Sequence, residues 1–143
     1  MNIGFLGLGK LGLPVSLAVE DKGHKVFGYD ISQQTINDIK NKKIRYKEEW
    51  VDKFLPTTKL EITNINDLVK NSEIIFVPIQ TPHDPEYEGV TRIPEKRIDF
   101  NYTYLKSGIK DLSDAIERNG EDKVVIIIST VLPGTIRNQI KPL

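Results

Sequence analysis

Three observations predict an α/β domain with a doubly wound, mostly parallel sheet. Short apolar runs typical of strands alternate along the chain with segments whose apolar residues recur at helical spacing. One run, residues 124–128, is wholly apolar, as in a parallel strand covered on both faces. The first run leads into a glycine-rich turn of the form G-x-G-x-x-G. The 143 residues are enough for one domain with its own core.

Residues 2–30 predict a strand, the glycine-rich turn, a helix and a second strand, with Asp30 at the end of that strand. Gly7 permits a tight turn, Gly9 lets a pyrophosphate approach the backbone, and Gly12 lets helix and strand pack closely. The N-terminus of the helix attracts phosphate. Asp30 follows Gly12 by 18 residues, the place of an acid that binds a ribose 2′-OH and repels a 2′-phosphate. The stretch predicts NAD rather than NADP, although Asp30 also fits a helix cap, a role that Ser32 can share.

Weaker periodicity follows as far as residue 71. Ile36 and Ile39 stand at helical spacing within 31–40, and the apolar residues of 48–55 suit one or two helical turns. The remaining elements are a short strand over 59–63 and a helix through 68–71 with Asn66 as its cap.

The second half of the chain is organised by two apolar strands, 73–77 and 124–128. Between them lie an irregular loop over 83–98 and a helix over about 102–118. The helix has Asn101 as its cap and ends at Asn119-Gly120, and another helix begins near residue 136. The loop is long for a connection inside a compact domain, and such loops are usually mobile or functional.

Polar residues follow the predicted strands at the edge where parallel α/β sheets bind ligands. Thr81 follows one strand, Ser129 and Thr130 follow another, and the glycine-rich turn and Asp30 follow the first two. Each hydroxyl taken alone is also explained as a turn or cap residue. Their shared place at strand ends favours one site that spans a dinucleotide.

Composition excludes several classes of function. Lys and Arg total 20 and Asp and Glu total 20, so the net charge of zero gives no support to a nucleic-acid or anionic-membrane partner. Cysteine is absent, and neither histidine stands in a metal-ligand spacing, so no metal site is predicted. No secretory signal is recognisable, and no apolar run spans a bilayer, so we expect a cytoplasmic protein.

Three other features are given a structural interpretation. A basic cluster is interpreted as a solvated face balanced by nearby acids; it consists of Lys42, Lys43, Arg45 and Lys47. His24 lies in a helix-to-strand turn away from the ligand edge, and His83 lies near the predicted site. We expect no proton-transfer role for either histidine.

Four stretches resemble those of the UDP-glucose/GDP-mannose dehydrogenase family: GLGKLGLP, EIIFVPIQTP, VVIIISTVLPGT and the tetrapeptide 99–102. The resemblance covers nearly the whole chain. It implies a Rossmann-type NAD-binding domain over residues 1–143, from an enzyme that oxidises the C6 alcohol of a nucleotide sugar to a carboxylate in two hydride transfers. It also implies that the full-length enzyme is a homodimer.

The cofactor-binding residues predicted from the motif and the resemblance together are Gly7, Gly9, Lys10, Leu11, Gly12, Asp30, Thr81, Ser129 and Thr130. The resemblance further implies that Thr130 helps to hold a catalytic water near C6.

The chain departs from the family pattern in several places. Thr35 stands where the family often has a basic residue, the family's Glu-Pro-Gly segment is replaced by 47–50, and the 83–98 loop is longer and more charged. The family's catalytic cysteine, lysine and glutamate would lie beyond residue 143, as would the substrate half. We therefore expect a cofactor domain that is inactive by itself.

Two alternatives stay open. One is the cofactor domain of a 3-hydroxyisobutyrate- or 6-phosphogluconate-type dehydrogenase, which also opens with GLGxxG; the pairs Leu13-Pro14 and Thr81-Pro82 and the segment 133–135 argue against it. The other is a dinucleotide-binding module that catalyses no reaction.

Overall fold

The computed structural model describes residues 1–90, 92 and 95–143. It contains five strands: β1 Asn2–Leu6, β2 Lys25–Tyr29, β3 Glu61–Ile62, β4 Ile74–Val77 and β5 Val124–Ile127. The α-helices are α1 Gly12–Asp21, α2 Gln33–Lys40, α3 Glu49–Phe54, α4 Ile65–Asn71 and α5 Thr103–Asn119. Short 3₁₀ turns occupy Leu55–Thr57 and Pro85–Tyr87, and Ile136–Ile140 is a wide helical turn of the π type.

The strands form one parallel sheet in the order β3-β2-β1-β4-β5. In this register Leu6 is opposite Tyr29, and Val77 is opposite Ile127. The carboxyl ends of β1, β2, β4 and β5 therefore lie along one edge. Strand β1 lies at the centre of the sheet, between β2 and β4. The loops that follow these three strands, which contain predicted site residues, are therefore neighbours.

Helices cover both faces of the sheet, as the doubly wound prediction requires. On one face, α1, α2 and α3 pack on β1 and β2; this core contains Phe5, Leu8, Leu13, Leu17, Val26, Ile39 and Val51. On the other face lie α4 and α5; this core contains Leu6, Leu68, Ile75, Val77, Tyr102, Leu105, Ile109 and Leu112. The α/β class and the parallel sheet are confirmed.

The structure corrects two local predictions. Asn64, not Asn66, caps α4 by accepting a hydrogen bond from the Asp67 N–H at 3.0 Å, whereas Asn66 accepts one from Arg118. The strand predicted over 124–128 is only partly covered: no residue of β5 is fully buried, and Val124 is 56% exposed. An all-apolar run indicates a preference for burial and does not show how completely the strand is covered.

Other boundaries differ by a few residues. The strand predicted over 59–63 is reduced to β3, and the helix predicted over 48–55 is α3 followed by a 3₁₀ turn. Asn101 accepts a hydrogen bond from the first N–H of α5, at Thr103, and Gly120 ends that helix with a φ of 72°. Part of the predicted 83–98 loop, residues 91, 93 and 94, lies outside the described residues.

Candidate cofactor site

The glycine-rich turn connects β1 to α1, and two of its glycines differ in their surroundings: Gly12 is closely packed and Gly9 is open. A Cβ at Gly12 would lie 2.1 Å from the carbonyl oxygen of Gly7, so the close packing there admits no side chain. A Cβ at Gly9 would have no atom within 4 Å, because Gly9 faces open space above the turn. Gly7 has a φ of 116°, which favours glycine. The turn thus forms a backbone cradle that is open at Gly9, where a pyrophosphate could approach the main chain.

The N-terminus of α1 faces this cradle. The helix begins at Gly12, and no side chain caps it at Leu11, which is 47% exposed. The Leu13 N–H donates to the Gly9 carbonyl oxygen at 3.0 Å and Pro14 has no N–H, so it is the positive end of the helix dipole that favours a bound phosphate. The residues present therefore fit the pyrophosphate of a dinucleotide.

Asp30 connects the glycine-rich turn to the start of α2. Its Oδ2 accepts a hydrogen bond from the Leu8 N–H at 2.7 Å, and its Oδ1 accepts one from the Ser32 N–H at 2.8 Å. The cap of α2 is Ser32, whose Oγ accepts from the Thr35 N–H at 3.2 Å. Each carboxylate oxygen keeps a second lone pair for a ligand hydroxyl. Ser32 and not Asp30 is therefore the helix cap. The contact of Asp30 with a ribose stays a prediction.

The predicted hydroxyl residues tie the loops after β4 and β5 to each other. The Thr81 hydroxyl donates to the Thr130 carbonyl oxygen at 2.6 Å, and the Ser129 hydroxyl donates to the Val77 carbonyl oxygen at 3.1 Å. The Thr130 side chain is exposed. Thr81 and Ser129 thus donate hydrogen bonds within the protein, while Thr130 is an exposed residue beside them. Their contacts with a cofactor stay predictions.

A cavity of about 210 Å³ adjoins the turn on the side of α2. Its walls include Gly9, Lys10, Thr35, Arg45 and Tyr46. Arg45 is held by Asp38, with 2.9 Å between Nε and Oδ2. Arg45, interpreted from the sequence as part of a solvated face, is therefore also a wall of this cavity. Lys10, predicted to bind the cofactor, borders the same space.

The family model described as the NAD binding domain of the UDP-glucose/GDP-mannose dehydrogenase family matches residues 1–143. The chain belongs to this family.

Relatives are similar over the same region. A UDP-N-acetyl-D-mannosamine dehydrogenase of Pyrococcus horikoshii is 30% identical over 94% of this chain and 30% of its own length. A GDP-mannose 6-dehydrogenase of Pseudomonas aeruginosa is 28% identical over 100% of this chain and 31% of its own length. The crystal structure of a ternary complex of GDP-mannose dehydrogenase from P. aeruginosa matches with a TM-score of 0.82 at 27% identity, again over 100% of this chain and 31% of the other.

The chain thus spans a little under a third of the length of these relatives. It is an NAD-binding domain of the UDP-glucose/GDP-mannose dehydrogenase family, as the motifs predicted. The family model and both relatives are of the nucleotide-sugar dehydrogenase type and not of the 3-hydroxyisobutyrate type.

The sequence reasoning missed one buried polar residue that contacts the loop after β5. Tyr102 is 5% exposed, and its hydroxyl donates to Asp99 Oδ1 at 2.5 Å. The phenolic oxygen of Tyr102 in turn accepts hydrogen bonds from the Leu132 N–H at 3.0 Å and from the Thr135 hydroxyl at 3.3 Å. The signal was present: residue 102 is in register with the buried stripe of α5 at 105, 109 and 112, and a buried tyrosine hydroxyl needs a partner.

The histidines lie apart from this arrangement or on its surface. His24 is half-buried in the turn between α1 and β2, at the opposite end of β2 from Asp30, and His83 is exposed after Thr81-Pro82. Within the described ranges, no cluster of three or more His, Asp or Glu residues could hold a metal ion. None of the helices in that part of the chain is long and apolar enough to cross a membrane.

Proposed function

We propose that this domain holds NAD for an enzyme that oxidises the C6 alcohol of a nucleotide sugar to a carboxylate. The observation that carries the proposal is that two groups of predicted site residues lie side by side at the carboxyl ends of the strands. The glycine-rich turn and Asp30 follow β1 and β2, and the Thr81–Thr130 hydrogen bond joins the loops after β4 and β5. A dinucleotide binds across such an edge, with its acid-bound ribose after β2.

The adenosine ribose is assigned to Asp30 and the pyrophosphate to the cradle above Gly9. The nicotinamide half then lies over the loops that carry Thr81 and Thr130. NAD, when bound, supplies the acceptor for the hydride that leaves the sugar carbon. The exposed Thr130 hydroxyl is suited to hold a water or the sugar oxygen by a hydrogen bond at that end.

The substrate class rests on the family and on the relatives, which are named for GDP-mannose and UDP-N-acetyl-D-mannosamine. We assign sugar recognition and the missing catalytic groups to sequence other than these 143 residues, because the relatives are about three times as long. A homodimeric full-length enzyme and a cytoplasmic location belong to the same proposal.

Calorimetric titration of the chain with NAD and NADP tests the cofactor role. We expect NAD to bind and NADP to bind at least about tenfold more weakly, because Asp30 repels a 2′-phosphate. Equal affinities, or no binding of NAD, would contradict the assignment. Incubation with NAD and GDP-mannose or UDP-sugars is expected to form no NADH with this chain alone, and NADH formation would show that the catalytic groups are present here.

A further inference from the structure

The buried Tyr102 hydroxyl connects the loop after β5 to the start of α5. We call this arrangement the Tyr102 cluster; it consists of Tyr102, Asp99, Leu132 and Thr135. The Tyr102 hydroxyl donates its hydrogen bond to Asp99 Oδ1. The phenolic oxygen is thereby left to accept from the Leu132 N–H and the Thr135 hydroxyl. Asp99 thus fixes the direction of all three hydrogen bonds.

Two further hydrogen bonds link the same elements to the site. The Asn101 N–H donates to the Pro82 carbonyl oxygen at 2.8 Å, which joins the two ends of the long connection between β4 and α5. One residue before Pro82, the Thr81 hydroxyl bonds to Thr130. The loop after β5 is therefore held at Thr130 from the β4 side and at Leu132 and Thr135 from the α5 side.

We propose that Tyr102 is a positioning residue for the nicotinamide half of the cofactor site. Because it is 5% exposed, it acts through the loop that it holds rather than by contact with the ligand. The inference rests on the proposed function, since it takes the loops after β4 and β5 to meet that half of NAD. It adds that Asp99 and Tyr102, at the start of α5, set where Thr130 stands.

The test compares two ligands that share one half. ADP contains the adenosine and pyrophosphate groups, which the turn and Asp30 would hold, whereas NAD also reaches the loop held by Tyr102. In calorimetric titrations, Tyr102→Phe is expected to weaken NAD binding about tenfold, the effect of losing about one hydrogen bond in the site. ADP binding is expected to stay within about twofold. Tyr104→Phe, a change two residues away at an exposed side chain, is the matched control and should alter neither affinity.

Asp99 supplies an independent arm in case Tyr102→Phe does not fold. Asp99→Ala removes the acceptor, and Asp99→Asn keeps an oxygen that can accept the phenolic proton. We expect Asp99→Ala to weaken NAD selectively and Asp99→Asn to restore most of the loss. An equal loss of NAD and ADP affinity, or no loss in a folded variant, would overturn the positioning role. A wild-type chain that binds ADP but gains nothing from the rest of NAD would also overturn it, while one that binds neither ligand would refute the proposed function itself.

Discussion

Alanine substitutions at Gly9 and Gly12 are expected to separate cofactor binding from folding. At Gly12 the new Cβ would lie 2.1 Å from the Gly7 carbonyl oxygen and 2.8 Å from Pro78 Cγ. An ordinary carbon–oxygen contact is about 3.3 Å, so the backbone of the turn must move by about 1 Å. A cost of about 3 kcal/mol in the free energy of unfolding is expected, the upper part of the range for overpacking, because backbone cannot rotate away.

At Gly9 the same methyl group meets nothing within 4 Å, so the free energy of unfolding should change by less than about 0.5 kcal/mol. The methyl group instead occupies the space through which a pyrophosphate approaches the backbone. Loss of one N–H bond to a charged phosphate costs about 1.5–3 kcal/mol, which is roughly a 10- to 100-fold increase in Kd for NAD.

Urea unfolding and calorimetric titration with NAD measure the two quantities on the same samples, and each variant is the control for the other. A Gly9→Ala variant that binds NAD like the wild type would refute the cradle. A Gly12→Ala variant with an unchanged unfolding midpoint would refute the packing argument at that glycine.

Three further predictions concern single contacts. Asp30→Ala leaves the Leu8 and Ser32 N–H groups without their acceptor and should lower the free energy of unfolding by about 2 kcal/mol in urea titrations; an unchanged midpoint would contradict this. Tyr46 has a buried hydroxyl without a partner among the described residues, so Tyr46→Phe should stabilise by about 1 kcal/mol. Burial raises the pKa of Tyr46 above its ordinary value of 10.0, so the unfolded chain loses this proton first and wild-type stability falls as the pH rises above about 10; melts at increasing pH should show that the variant lacks this loss. Gly120→Ala forces a side chain to adopt a φ of 72° at the end of α5 and should cost about 1 kcal/mol, whereas an unchanged melting temperature would argue against a left-handed cap.

The sequence predicted the parts of this domain that depend on local chemistry. The glycine spacing, the acid after β2 and the apolar strands each follow from a nearby steric or hydrophobic requirement, and the parallel sheet follows from their order. The partial exposure of β5 was not predictable, because the same apolar run suits a strand that is buried on both faces.

Polar contacts between residues far apart in the sequence were also not predictable. The bond from Tyr102 to Leu132 spans 30 residues and the bond from Thr81 to Thr130 spans 49, and no local pattern encodes such pairs. The cap of α4 shows a local limit: residues 64 and 66 are both asparagine, a good helix cap, and only the backbone conformation decides that Asn64 is the cap.

The hydrogen bonds of Asp30 have a consequence for the entropy of binding. Its carboxylate holds the backbone of Leu8 and Ser32, and the Leu8 side chain packs against Gly28, where a Cβ would lie only 2.7 Å from it. The glycine-rich turn is therefore already ordered when the ligand arrives. Conformational freedom that a loose glycine loop would lose on binding is lost here during folding, so more of the interaction with a pyrophosphate appears as affinity.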